Sequence, residues 1–132
     1  MAFDNKGYDH NLQIINQNKN EILGTIKVKI ATSKDDRSKG LMFVRNLPLS
    51  YGMLFDFKNE RIINMWMKNT LIPLDIIFID KNDIIIRIVS PTAPLSMKII
   101  SSEYPAVKVL ELNAGVAKSL KIDIGNRIAL VN

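Results

Sequence analysis

Side chains able to do chemistry are concentrated in one run, Trp66-Met67-Lys68-Asn69-Thr70-Leu71-Ile72-Pro73-Leu74-Asp75. An indole, an amide, a hydroxyl and a carboxylate fall between apolar runs at residues 62–67 and 76–80. That mixture suits a shallow pocket in which Trp66 stacks, Asn69 and Thr70 orient a ligand, and Asp75 accepts hydrogen bonds. A second carboxylate, Glu111, shares strand parity with Val107 and Val109 and so faces an apolar layer. A buried charge needs a partner, and Arg37 is the natural one. Two kinds of chemistry follow. Asp75 and Glu111 could form a carboxylate pair for a hydrolase or lyase. Alternatively, Glu111 is neutralised by Arg37, and Asp75 braces its own loop by accepting from the Asn69 and Thr70 backbone.

Other chemistries lack their residues. There is no cysteine, which excludes disulfides, thiolate nucleophiles and iron–sulfur ligation. His10 is the only histidine and lies in a polar leader, so a histidine triad or multi-histidine metal site is excluded. No serine stands in a Gly-x-Ser-x-Gly context, and no phosphate-loop spacing links the glycines. Met42, Met53, Met65, Met67 and Met97 could offer thioethers to a soft metal, but filling the core is the ordinary use of methionine. No metal and no cofactor is expected. The net charge of +5 is spread over lysines with acids interleaved, which argues against a nucleic-acid partner. No segment approaches the roughly 20 apolar residues of a membrane span.

Positioning these residues requires strands. Residues 1–24 read as a polar leader with an edge strand at Leu12, Ile14 and Ile15, and residues 25–132 as a single β domain. Residues 25–31 alternate as a half-exposed strand. Ser33 caps a short helix that stops at Gly40. Short strands follow at 53–57 and 62–67, then a hairpin of residues 76–80 and 84–90, whose β-branched density suggests cover on both faces. Further strands are expected at 97–101, 107–112 and 127–131, with Asn113 capping a second short helix. Such a chain is mainly β, a sandwich or partly closed barrel with two short helices.

Four blocks resemble a known family in order and spacing. They are Arg37-Ser38-Lys39-Gly40-Leu41-Met42, Gly52-Met53-Leu54-Phe55, Trp66 to Asp75, and Leu110-Glu111 followed by Gly115. Together they are similar to domain of unknown function 192, over roughly residues 26–131. The resemblance implies a mainly β fold with no assigned reaction. Because many of its members carry an export signal, it also implies a periplasmic or secreted location if such a signal once preceded this chain, and a cytoplasmic one otherwise. Members often have cysteines in the region matching residues 91–105, and any role that depends on them does not carry over.

The preferred reading is a non-catalytic domain binding a small polar or carbohydrate-like ligand through Trp66, Asn69, Thr70, Asp75 and Arg37. The alternatives are the two-carboxylate enzyme and a structural or partner-binding module. Oligomeric state is left open.

Overall fold

The computed structural model describes residues 2–131. In chain order the elements are β1 (His10–Asn16), β2 (Glu21–Ala31), α1 (Lys34–Lys39), β3 (Tyr51–Met65), β4 (Leu74–Ile79), β5 (Ile85–Val89), β6 (Ile100–Asn113), α2 (Val116–Ser119) and β7 (Arg127–Val131). The strands form one seven-stranded sheet in the order β5-β4-β6-β3-β2-β1-β7. All neighbours are antiparallel except β2 and β3, which run parallel because α1 and the segment after it carry the chain across. The two ends of the sheet meet at one corner. Ile84 bridges Arg127, Gly125 N donates to Ile85 O at 2.8 Å, and Ile85 N donates to Asn126 O at 2.9 Å. The sheet is therefore a partly closed barrel.

Period-two alternation divides the apolar residues between two layers. Every strand contributes to the first, through residues such as Leu12, Ile26, Leu54, Ile77, Ile85, Leu110 and Ile128, and α2 adds Val116 and Ala117. A layer fed by all strands is the inside of the curl. The second layer covers the outer face of β3, β6 and β4 with Met53, Phe55, Ile63, Leu74, Ile76, Phe78 and Val109, roofed by Leu41, Leu47 and Met67 from the connections. All six residues of β4 are buried, with Ile76 and Phe78 outward and Asp75, Ile77 and Ile79 inward. The hairpin of β4 and β5 and its cover on both faces match the sequence expectation.

Four expectations on local structure change; in one of them, the separate strands expected at 97–101 and 107–112 are a single strand, β6, that begins at Ile100. The segment at Leu12–Ile15, expected at an edge, is β1, and it pairs with β2 on one side and β7 on the other. The separate strands expected at 53–57 and 62–67 are one strand, β3. Its polar middle is a register shift against β6 between Asp56 and Arg61, with Lys58 at φ 66°. Asn113 does not cap α2, whose N-cap is Gly115 with no side-chain cap; its Nδ2 instead donates to the carbonyls of Leu47 and Pro48.

Candidate functional site

Asp75 lies on the inward face at the start of β4, opposite Leu112 of β6, and is fully buried. Its Oδ2 accepts from Ala117 N at 2.9 Å, and both oxygens accept from Gly115 N at 3.1 and 3.2 Å. Ser90 Oγ donates to Oδ1. A side chain from another strand thus satisfies the amides that open α2, the task an N-cap performs locally. The expected donors, the Asn69 and Thr70 amides, are not the partners. Thr70 N donates to Met67 O at 3.0 Å instead, closing the loop on itself.

Glu111 lies one residue away on β6 and faces the other way. It is paired across the ladders with Met53 and Ile76, both on the outer layer, so its side chain and that of Asp75 occupy opposite faces of the sheet. The carboxylate pair expected of a hydrolase or lyase does not assemble. The expected Arg37–Glu111 ion pair is absent as well. The Arg37 guanidinium donates to Thr32 O and stacks over Phe57 with its Cζ 4.7 Å from the ring centroid. No side-chain ion pair among the described residues involves Glu111.

What Glu111 faces is a cleft of about 260 Å³ between α1, the outer face of β3 and the loop after it. Phe55, Phe57, Met42, Met65 and Trp66 supply its apolar wall, and Thr70 a hydroxyl. Every fully enclosed side-chain oxygen or nitrogen among the described residues has a partner. Glu111 is only 4% exposed and has no side-chain hydrogen-bond or ion-pair partner among the described residues, so its carboxyl group reaches the space of the cleft. Burial raises its pKa from 4.5 to about 8, because removing the carboxylate from water penalises the charged form. Around the cleft stand Lys34, Arg37, Lys39 and Lys68, and Glu111 is the only acid lining it. Lys68 Nζ sits 5.1 Å from the Trp66 ring centroid, a cation–π arrangement that keeps the charge at the cleft.

The candidate residues therefore separate. Arg37, Trp66, Thr70 and Glu111 share the cleft, with Trp66 40% exposed. Asp75 belongs to the brace of α2. Asn69 is not in the cleft wall. It occupies a left-handed turn at φ 55°, its carbonyl accepts from Phe43 N at 2.9 Å, and its amide reaches Met42 Sδ at 4.0 Å. Sequence reading missed Lys34, Lys39 and Lys68 as site residues. Lys34 and Arg37 are three apart, the spacing that puts two side chains on one helical face, and that was the available signal.

A family model for domain of unknown function 192, described as an uncharacterized ACR, matches residues 14–130. The chain belongs to this family. A solved structure from Sinorhizobium meliloti 1021, called a "putative transcription regulator", is 37% identical, with 92% of each chain covered and a TM-score of 0.88. A protein of unknown function from Novosphingobium aromaticivorans DSM 12444 is 28% identical over 90% of this chain and 83% of that one, with a TM-score of 0.84. No match was found among curated proteins.

The four blocks that resemble domain of unknown function 192 converge on the cleft and its supports. The first supplies α1 with Arg37 and Lys39, together with Met42; the second supplies Phe55. The third gives Trp66, Lys68 and Thr70 to the cleft and Asp75 to the brace, while the fourth gives Glu111 to the cleft and Gly115 to the brace.

Proposed function

We propose that this domain binds a small polar ligand in the cleft beneath α1, without carrying out a reaction on it. The observation that carries the proposal is the pairing of a buried, unpartnered carboxyl group on the floor with a partly exposed indole at the mouth. A largely buried carboxyl group that opens only into a cleft is available to whatever enters it, and a few polar groups placed in this way orient ligands in pockets. The volume of about 260 Å³ lies below the range of drug-sized pockets, which suits a metabolite of modest size. Trp66 offers the stacking face, Thr70 and Glu111 the polar contacts, and Arg37 a charged edge. With Asp75 committed to α2 on the opposite face, Glu111 has no second carboxylate to work with, which weighs against two-carboxylate hydrolysis.

The test is a thermal-shift screen over sugars, nucleotides, organic acids and metal salts. A ligand at one hundred times its dissociation constant stabilises the fold by about 2.7 kcal/mol. The hit is expected to lose its effect in Trp66→Ala. A hit that stabilises the variant equally places the ligand elsewhere.

One observation favours a partner-binding module instead. Leu95, Met97 and Ile99 are exposed on the segment beside the cleft, tied to it by Leu95 N donating to Thr70 O at 2.9 Å and Met67 N to Ser96 O at 2.9 Å. Apolar side chains grouped at a surface mark interaction sites. Concentration-dependent mass in solution that disappears in Met97→Lys would favour this second reading.

A further inference from the structure

We infer that the ligand of this cleft is a small organic anion, held by its carboxylate or phosphate between α1 and Lys68, with its uncharged body against Trp66 and Glu111 beneath it. The inference rests on the small-ligand reading above and specifies its charge. Lys34, Arg37 and Lys39 approach from α1 and Lys68 from the loop after β3. None of the four takes part in a side-chain ion pair among the described residues; the lysines and arginine that do are Lys58, Arg87 and Lys108. Asp35 and Asp36 share α1 with three of these cations but do not line the cleft. Four positive groups around one concavity, with no ionised acid facing them, set a field that attracts an anion. The Lys68–Trp66 and Arg37–Phe57 stacks hold two of the charges in place before a ligand arrives, which limits the entropy lost on binding.

Glu111 supports this reading by its own chemistry. An ionised carboxylate on the floor would repel an anion. A neutral carboxyl group donates one hydrogen bond, and burial keeps Glu111 in that form until about pH 8. The apolar wall of Phe55, Phe57, Met65 and Ile99 leaves room for a body that inorganic anions lack. Carboxylates and phosphate monoesters share the chemistry of this site, and matched probes tell them apart.

Trp66 is the only tryptophan, so its fluorescence reports on the cleft alone. At fixed ionic strength, titrations with benzoate against benzamide, and with glucose 6-phosphate against glucose, are expected to favour each anion by at least about tenfold. Lys68→Gln, and Lys34→Gln combined with Lys39→Gln, should each weaken anion binding about tenfold and leave the neutral probes little changed. Lys58→Gln, outside the cleft, serves as the control. Raising the pH from 6.5 to 9 should weaken anion binding in the native chain and not in Glu111→Gln; an equal loss in both removes Glu111 from the site. Neutral probes binding as tightly as their anions overturn the inference and leave the small-ligand reading standing. Inorganic phosphate binding as tightly as glucose 6-phosphate overturns the role of the organic body. Silence from every probe, in both fluorescence and melting temperature, overturns the inference and the small-ligand reading together.

Discussion

Asp75 and Glu111 sit on adjacent strands, one residue apart in register, and both are buried. They differ only in which face of the sheet they point to, and that difference decides what each does. Asp75 turns inward to a place where two amides at the start of α2 and the Ser90 hydroxyl have no other acceptor. Its charge is solvated by the protein, and it works as an architectural part. Glu111 turns outward to a layer of apolar side chains with a gap in its roof. It finds no donor there, so burial lifts its pKa to about 8. A carboxylate whose hydrogen bonds are complete stabilises a fold, and one left open offers itself to a ligand.

The largest expected effect tests the Asp75 half of this comparison. Asp75→Ala strands the Gly115 and Ala117 amides and should cost about 2–5 kcal/mol in urea denaturation, since each buried donor left without an acceptor costs about 1–3 kcal/mol. Asp75→Asn keeps one acceptor but turns an NH₂ toward an amide donor, with an expected cost of about 1–3 kcal/mol. A loss below half a kilocalorie in the alanine variant would show that α2 closes without Asp75, and the contrast with Glu111 would fail.

Glu111 should respond with the opposite sign. Its folded pKa of about 8 exceeds the usual 4.5, so the folded state holds its proton more tightly than the unfolded chain. The stability linked to that proton is complete below pH 4.5 and is lost as pH rises through 8. Glu111→Gln cannot ionise, and should be more stable than the native chain at pH 9 by an amount on the order of 2–4 kcal/mol, with little difference at pH 4. Denaturation midpoints across that range provide the check. Parallel pH profiles for the two proteins would mean that Glu111 titrates alike in the folded and unfolded chain, with no penalty from burial.

How much of this was legible in the sequence follows from what each inference depended on. The hairpin of β4 and β5 is local, with β-branched runs around a short polar turn, and it could be read directly. Ser33 and Gly40 bound α1 for the same local reason, the Ser33 hydroxyl accepting from Asp36 N at 3.1 Å. The parity of Glu111 placed it correctly among apolar side chains, since alternation along a strand needs no partner strand to be known. Its expected ion pair with Arg37 is different, because that depended on how α1 docks. Arg37 stacks on Phe57 instead, a contact set by side-chain geometry that no spacing encodes. For Asp75 a bracing role is one of the readings open in the sequence, beside ligand binding and catalysis, but the amides it holds come from a helix about forty residues further on, beyond the reach of local turn chemistry. The polar stretch within residues 56–61 reads as a break between strands and is an irregularity within one, because pairing with β6 resumes at Arg61 opposite Ala106.

Gly52 sharpens the comparison from the backbone between the two residues. It is opposite Leu112, the same residue that faces Asp75, and its α-carbon lies close to the strand that carries Glu111. A β-carbon there would lie 2.7 Å from the Glu111 carbonyl oxygen and 2.7 Å from Leu112 Cδ2. In an ordinary strand, replacing glycine with alanine stabilises by roughly 0.5–1 kcal/mol. Here the sign should reverse, with Gly52→Ala costing about 1–3 kcal/mol as β3 and β6 are forced apart. A neutral or stabilising result would mean that the two strands can separate freely, and then neither carboxylate is held in its place by the sheet.

The smallest effect on stability should carry the most information about the cleft. Ser33 caps α1, and Ser33→Ala should cost only about 1 kcal/mol. Three of the four cations around the cleft are on that helix, whereas none of the groups that hold Asp75 is. Fraying α1 should therefore loosen the roof over Glu111 while the inner brace stays intact. Hydrogen exchange should accelerate at residues 34–40 and remain slow at Gly115 and Ala117, and the Glu111 pKa should fall toward 4.5 as water enters. The last response separates two causes of the raised pKa. If it persists with α1 frayed, the apolar side chains of the sheet desolvate Glu111 by themselves; if it relaxes, the helix is the lid that keeps the carboxyl group neutral.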